Sequence, residues 1–303
     1  MNEPMNRYMK VGLIHFMAYP AVMKGEGPIL ETLKKILSDD YFDAVEVSWM
    51  LDDAVREKAR IMLETAHVAV AYGGQPRLLT MGLNINDLDE PGRLKAVSTL
   101  KEGIDEAVFL GASGFAFLSG KYAEDRKEEA FRALVTSTRE LCGYAKTKGD
   151  IRIVLEIFDH DVDKASLIGP ALLARRFAQE MEKHHDNFGL LVDLSHLPLI
   201  RETPEEAILP IREWLVHAHM GNCVVKSPSL PAYGDAHPRF GFPGGENDVP
   251  ELTEYLRVLL KTGFLNTANP PVVSFEVKPF GDEDSELVIA NAKRTLNRAW
   301  GLV

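Results

Sequence analysis

Short apolar runs alternate with longer amphipathic stretches along nearly the whole chain. Eight runs stand out, at residues 11–16, 44–48, 67–71, 114–118, 152–157, 189–193, 214–220 and 272–277. Each is nearly continuous in apolar character, as strands buried on both faces should be. Between and after them, residues 29–37, 52–64, 91–110, 124–148, 171–184, 203–209, 249–262 and 285–300 carry helical periodicity. Asp248 before one helix, and Thr203-Pro204 with Glu206 before another, are N-terminal capping signals.

Eight strand–helix units average about 38 residues each, which suits βαβ geometry. Alternation predicts a parallel sheet covered by helices, and eight units predict an α/β fold of one (β/α)8 TIM barrel. The competitor is an open doubly wound sheet. Its Gly-rich phosphate turn is missing after the first run, where Gly25 and Gly27 lack the required spacing. No linker or composition shift divides the chain. The barrel is therefore expected over residues 11–303, with the polar residues 1–10 extended or disordered. Residues 221–248 form a long connection rich in Pro and Gly, without helical period, expected to be an active-site loop.

Composition narrows the partners. The chain has 303 residues, 46% of them hydrophobic, enough for a large core. Its 34 Lys and Arg against 45 Asp and Glu give a net charge of −11. That opposes binding to nucleic acid or anionic lipid, which needs clustered cations. No apolar run reaches about 18 residues, so no membrane span is expected. No basic start precedes an apolar run, so no secretory signal is expected. Cys142 and Cys223 are far apart, as in a reduced, cytosolic chain.

The candidate chemistry lies within or at the ends of the strand runs. Glu46, Glu156, Asp193, His196, His217, His219 and Glu276 all occupy such positions. A buried carboxylate costs several kcal/mol unless it is paired, and four cannot pair with one another as anions. A bound cation resolves this. Glu156, Asp193, His219 and Glu276 come from four consecutive strands, one ligand per strand end. Three carboxylates and one imidazole suit Mn²⁺ best, with Mg²⁺, Co²⁺ and Zn²⁺ also compatible. His217 is expected to be structural.

The segments 155–160 (LEIFDH), 192–196 (VDLSH), 216–222 (VHAHMGN), 243–252 (PGGENDVPEL) and 274–279 (SFEVKP) resemble the xylose-isomerase-like TIM-barrel superfamily of sugar isomerases and epimerases. The likeness covers strands five to eight; the N-terminal half matches only in rhythm. Glu246 and Asn247 depart from the commonest form of the turn before the seventh helix. The resemblance implies that Glu156, Asp193, His219 and Glu276 bind the metal. It implies Glu156 and Glu276 as catalytic base and acid beside a carbonyl, with His196 next to the substrate. Substrate contacts are expected from His160, Asp235, His237, Arg239, Lys226 and Glu46. For Asp235, His237 and Arg239 the alternative is a loop held by its own ion pairs, or a part in a second metal site.

The leading expectation is a divalent-metal-dependent isomerase or epimerase of keto-sugars. The alternative is a lyase performing β-elimination on 3-keto-glycosides, since 158–164 (FDHDVDK), 221–226 (GNCVVK) and 234–241 (GDAHPRFG) look like that subgroup. The implied partners are a small sugar or glycoside and further copies of the chain, with a small second subunit in the lyase subgroup. An apurinic endonuclease would need more His ligands and a surface that grips DNA. A non-catalytic sugar-binding barrel would not need four convergent ligands.

Overall fold

The computed structural model describes residues 3–303. Its strands are β1 (Lys10–Ile14), β2 (Ala44–Val47), β3 (Ala69–Gly73), β4 (Gly114–Leu118), β5 (Arg152–Glu156), β6 (Phe188–Asp193), β7 (Leu215–Gly221) and β8 (Val272–Glu276). Each pairs in parallel with the next, and β1 pairs with β8 to close the barrel. The expected (β/α)8 barrel is the observed fold. The register brings the ends of the later strands to one rim: Leu118 lies opposite Glu156, Asp193 opposite His219, and Gly221 opposite Glu276.

The surrounding helices form for the reasons read in the sequence. The helix Val249–Lys261 starts at a capping box of Asp248 and Glu251 and buries Leu252, Leu256 and Leu259. The helix Pro204–Ile208 starts at a capping box of Thr203 and Glu206. No helix among the described residues is long and apolar enough to cross a membrane.

Three local expectations change. The first strand stops at Ile14, and His15–Ala18 turn helical. Over residues 3–10 the polar N-terminus packs on the barrel, and Lys10 already belongs to β1. Met5–Arg7 form a 3-10 turn, the Tyr8 and Trp300 rings lie 5.6 Å apart, and Trp300 Nε1 donates to Glu3 O at 2.8 Å. The aromatic pair supplies apolar contact that polarity alone hid. Residues 1 and 2 lie outside the described residues. Thirdly, a helix at Gln75–Met81 follows β3, with Pro76 in its first turn and Gly82 ending it in the left-handed region.

The long connection after β7 is knitted to itself. Asn222 Oδ1 accepts from the backbone N–H of Cys223, Glu246 and Asn247, and its Nδ2 donates to Arg239 O. Asn247 Nδ2 ties back to Leu194 O and Gly221 O. Val224 pairs with Tyr233 and Gly234, so residues 225–232 form an excursion closed at its base. At Gly221 a Cβ would lie 2.7 Å from Glu276 O, so only glycine lets β7 and β8 approach so closely here.

A buried ion pair anchors the helix Gln75–Met81. Arg77 Nη2 donates to Glu106 Oε2 at 2.6 Å and Arg77 Nε to Tyr72 Oη at 3.1 Å. Glu106 Oε1 accepts from Met50 N at 2.7 Å. Glu106→Ala would strand the Arg77 charge, so it should destabilise the fold by about 3–5 kcal/mol, measured by chemical denaturation.

Candidate metal centre

The barrel rim brings Glu156, Asp193, His219 and Glu276 together, each nine-tenths or more buried. They offer ligand atoms that all lie within 4.8 Å of one another. His219 Nδ1 lies 2.8 Å from Glu276 Oε2 and 3.4 Å from Glu156 Oε1. These are hydrogen-bond distances, yet all three atoms are buried without a hydrogen-bond partner.

The tautomer of His219 explains the arrangement. Its Nε2 lies 3.1 Å from Glu46 Oε1, and an ionised carboxylate can only accept. Nε2 therefore carries the proton, and Nδ1 turns a lone pair towards the Glu276 and Glu156 oxygens. Facing lone pairs repel unless a cation lies between them. The donor set thus fits a divalent ion, and Glu46 is the partner that orients its imidazole ligand. Burial opposes charge on His219, but Glu46, Glu156 and Glu276 outweigh it and raise its pKa well above the usual imidazole value, so the positive charge between Nδ1 and these oxygens is either a proton or a metal ion that replaces it. Burial likewise lifts Asp193, helped by the nearby Glu276, so its carboxylate needs a counter-charge. Ser195 holds Asp193 in place: its N donates to Oδ1 at 2.8 Å and its Oγ to Oδ2 at 2.6 Å.

A cavity opens above this cluster. Glu46, Glu156, His219, Asp235, His237 and Glu276 line its polar side. Phe16, Met17, Met23, Pro76, Leu79 and Phe158 form an apolar wall. Glu46 meets the cavity, but its Oε1 is taken by His219 and, at 2.7 Å, by His217 Nε2. Burial would raise the Glu46 pKa; the two histidines hold it well below the usual carboxylate range. Glu46 thus partners two histidines through one oxygen while lining the cavity. His217, expected to be structural, makes that same contact.

The remaining expected residues divide. Asp235 and His237 line the cavity. His196 does not: Phe158 covers it at a ring separation of 4.3 Å, and its Nε2 faces Asp235 Oδ1 at 3.1 Å. His160 is turned towards Asp161, at 3.8 Å, and away from the cavity. Lys226 has a side chain 60% exposed, lies 3.9 Å from Glu246 and does not line the cavity. Arg239 pairs with Glu283 at 2.9 Å and bonds the carbonyls of Phe240 and Gly241. Arg239 does not line the cavity: its guanidinium is held by Glu283, on the segment after β8, and by two carbonyls of its own loop.

Two site residues escaped the sequence reading. Gln75 Nε2 donates to Glu156 Oε2 at 2.6 Å, fixing one oxygen and leaving Oε1 for the centre. It opens the short helix just past β3, and an uncharged amide there interrupts no apolar run, so nothing in the sequence singles it out. Lys164 Nζ lies 3.0 Å from Asp235 Oδ2 and 2.9 Å from Asp163 Oδ2. Asp159 builds its loop, with both carboxylate oxygens accepting from the backbone N–H groups of residues 162–165. His237 adopts a left-handed backbone at φ 50°, a conformation that side chains other than glycine favour little, which marks a constrained position.

Comparison with known proteins agrees with this architecture. No curated protein sequence matches the chain. Among solved structures, an IolI protein with a bound zinc atom superposes with a TM-score of 0.72 at 17% identity, covering 96% of this chain and 98% of that one. D-psicose 3-epimerase from Clostridium cellulolyticum H10, with D-tagatose, gives 0.71 at 17%, covering 96% and 98%. The 3-keto-D-glucoside 4-epimerase YcjR from E. coli gives 0.70 at 15%, covering 95% and 99%. At these identities the likeness speaks to the fold. The family model of the xylose isomerase-like TIM barrel matches residues 36–295. That match spans most of the sequence, and the chain belongs to the xylose isomerase-like TIM barrel family.

Proposed function

We propose that the protein is a divalent-metal-dependent isomerase or epimerase of keto-sugars. The observation that carries this is the pair Glu156 and Glu276, each with one buried oxygen lacking a hydrogen-bond partner, converging with His219 beneath an open cavity. Glu156, Asp193, His219 and Glu276 hold the metal, with Mn²⁺ the best match to three carboxylates. When bound, the metal polarises a carbonyl oxygen and stabilises the negative charge that develops there.

This chain's own groups handle the proton. One of Glu156 and Glu276 takes it from the carbon beside the carbonyl, and the other returns one from the opposite side. Gln75 keeps Glu156 aimed by bonding its outer oxygen. Asp235 and His237 offer polar contacts to sugar hydroxyls along the same side of the cavity. The apolar wall limits water near the reacting carbon. Lys164, one of the ammonium groups lining the cavity, is already engaged by Asp163 and Asp235. Both cysteines are free and buried, consistent with a reducing, cytoplasmic setting.

The apolar wall favours a second reading. Phe16, Met17, Met23, Pro76, Leu79 and Phe158 offer a non-sugar group a surface to pack on. A 3-keto-glycoside would place its aglycone there. Loss of a proton at carbon 2, with expulsion of the group on carbon 1, makes the reaction a β-elimination.

Three outcomes test the proposal. Chelation should abolish turnover of keto-sugars and Mn²⁺ should restore it; turnover unaffected by chelation would overturn the metal reading. Glu156→Gln should lower kcat by about 10²–10⁴-fold. In deuterated water the wild-type product should carry deuterium beside the carbonyl, and its absence would rule out the proton transfer. The same screen with 3-keto-glycosides, read as aglycone release, separates elimination from epimerisation. Glu46→Gln should weaken metal affinity by about 10–100-fold through loss of a properly oriented His219, measured by metal titration.

A further inference from the structure

We propose that the chain binds a small hydroxylated carboxylate, of the chemical class of sugar acids, at the opposite mouth of the barrel. Barrel interiors of this kind are filled by layers of bulky branched side chains. Here several inward positions are small. The register sets Gly12 beside Ala44 and Ala71 beside Gly114. A Cβ built on Gly114 would meet only Val154 Cγ2, at 3.9 Å, so open space lies in front of that glycine. Val154 packs in the barrel interior with Ala116, Leu191 and Val216, a small apolar cluster that does not reach the mouth. What is left is a cavity of about 920 Å³ at the end where the strands begin. It shares no lining residue with the cavity over the metal centre.

Arg152 supplies the charge. It opens β5 opposite Gly114, four residues before Glu156 and therefore on the same inward face. It lines the cavity, and among the described residues its guanidinium makes neither an ion pair nor a hydrogen bond. The other cations of the mouth are engaged. Lys146 holds Asp186 at 2.6 Å. Arg212 Nη1 donates to Leu209 O at 3.2 Å, and its Nη2 lies 3.7 Å from Glu213. Asp150, the other carboxylate around the mouth, stands exposed on the turn before β5. A free guanidinium offers a planar fork that matches a carboxylate. One such fork suits a single negative charge better than a phosphate dianion.

Two further groups call for hydroxyls. His217 is nine-tenths buried and lines this same cavity. Its Nε2 is taken by Glu46 at 2.7 Å, which leaves Nδ1 without a partner among the described residues. A hydroxyl both donates and accepts, so it can serve that nitrogen. Asn187, on the cavity wall, holds its Oδ1 buried without a hydrogen-bond partner, while its Nδ2 donates to Cys142 O at 3.0 Å. A ligand with a carboxylate at one end and hydroxyls along its length would meet Arg152, His217 and Asn187 together. An acid without hydroxyls would leave the last two unsatisfied, at a cost to its affinity.

The test is calorimetric titration of the full chain, supplied with Mn²⁺, with D-gluconate. Wild type should show saturable binding of one gluconate per chain. Arg152→Gln should weaken it by about 10–100-fold through loss of the charged hydrogen bonds. Gly114→Leu places a side chain in the open space and should abolish binding, with melting checked to confirm that the variant folds. D-glucitol, which has the hydroxyls without the charge, should bind at least about 10-fold more weakly than gluconate. Crystals grown with gluconate should show its carboxylate against Arg152. No saturable binding to wild type would overturn the site. Binding unchanged in both variants would mean that gluconate sits at the metal-centre rim, and would overturn it too. Equal affinity for D-glucitol would overturn the assignment of an anion. The site uses no metal ligand, so each of these failures leaves the proposed function standing.

Discussion

The structure depends on negative charge concentrated where water is scarce. The barrel rim gathers Glu46, Glu156, Asp193, Asp235 and Glu276, each nine-tenths or more buried. Such a cluster survives only with positive charge placed among it. The histidines are distributed accordingly. His217 and His219 face Glu46, while His196 and His237 face Asp235. Burial alone would lift Asp235; the His237, His196 and Lys164 charges hold it well below the usual carboxylate range. What these pairings leave uncompensated lies at the Glu156, Glu276 and His219 atoms, whose donor set fits a cation.

Much of this was legible in the sequence, because barrel topology converts strand ends into neighbours. The eight apolar runs located the eight strands, and a polar residue ending an apolar run is conspicuous. Glu156, Asp193, His219 and Glu276 were visible for that reason. Residues on connections were harder to place. Asp235 and His237 reach the cavity, while Arg239, two positions on, turns to Glu283. Spacing along a loop does not say which side chain faces inward; the stitches made by Asn222 decide that. Gln75 and Lys164 stayed hidden because each acts through a partner distant in sequence, Glu156 and Asp235 respectively.

The same logic separates histidines that look alike on paper. His15 is buried against Thr32 Oγ1, and burial lowers its pKa to about 3, so it stays neutral and structural. His237 is just as buried, yet Asp235 and Glu276 overcome the burial and raise its pKa to about 9. Surroundings, and not exposure, decide which imidazole carries charge.

The self-knitted connection after β7 bears on which parts of the rim tolerate change. Asn222 and Asn247 pin both ends of the connection to the barrel, and the pairing of Val224 with residues 233 and 234 seals off 225–232. Asp235 and His237 stand outside that sealed stretch. The excursion can therefore be lengthened, shortened or exchanged without disturbing the acid and imidazole groups behind it. It is a part free to change beside a rim that is held fixed, since none of its residues lines the cavity.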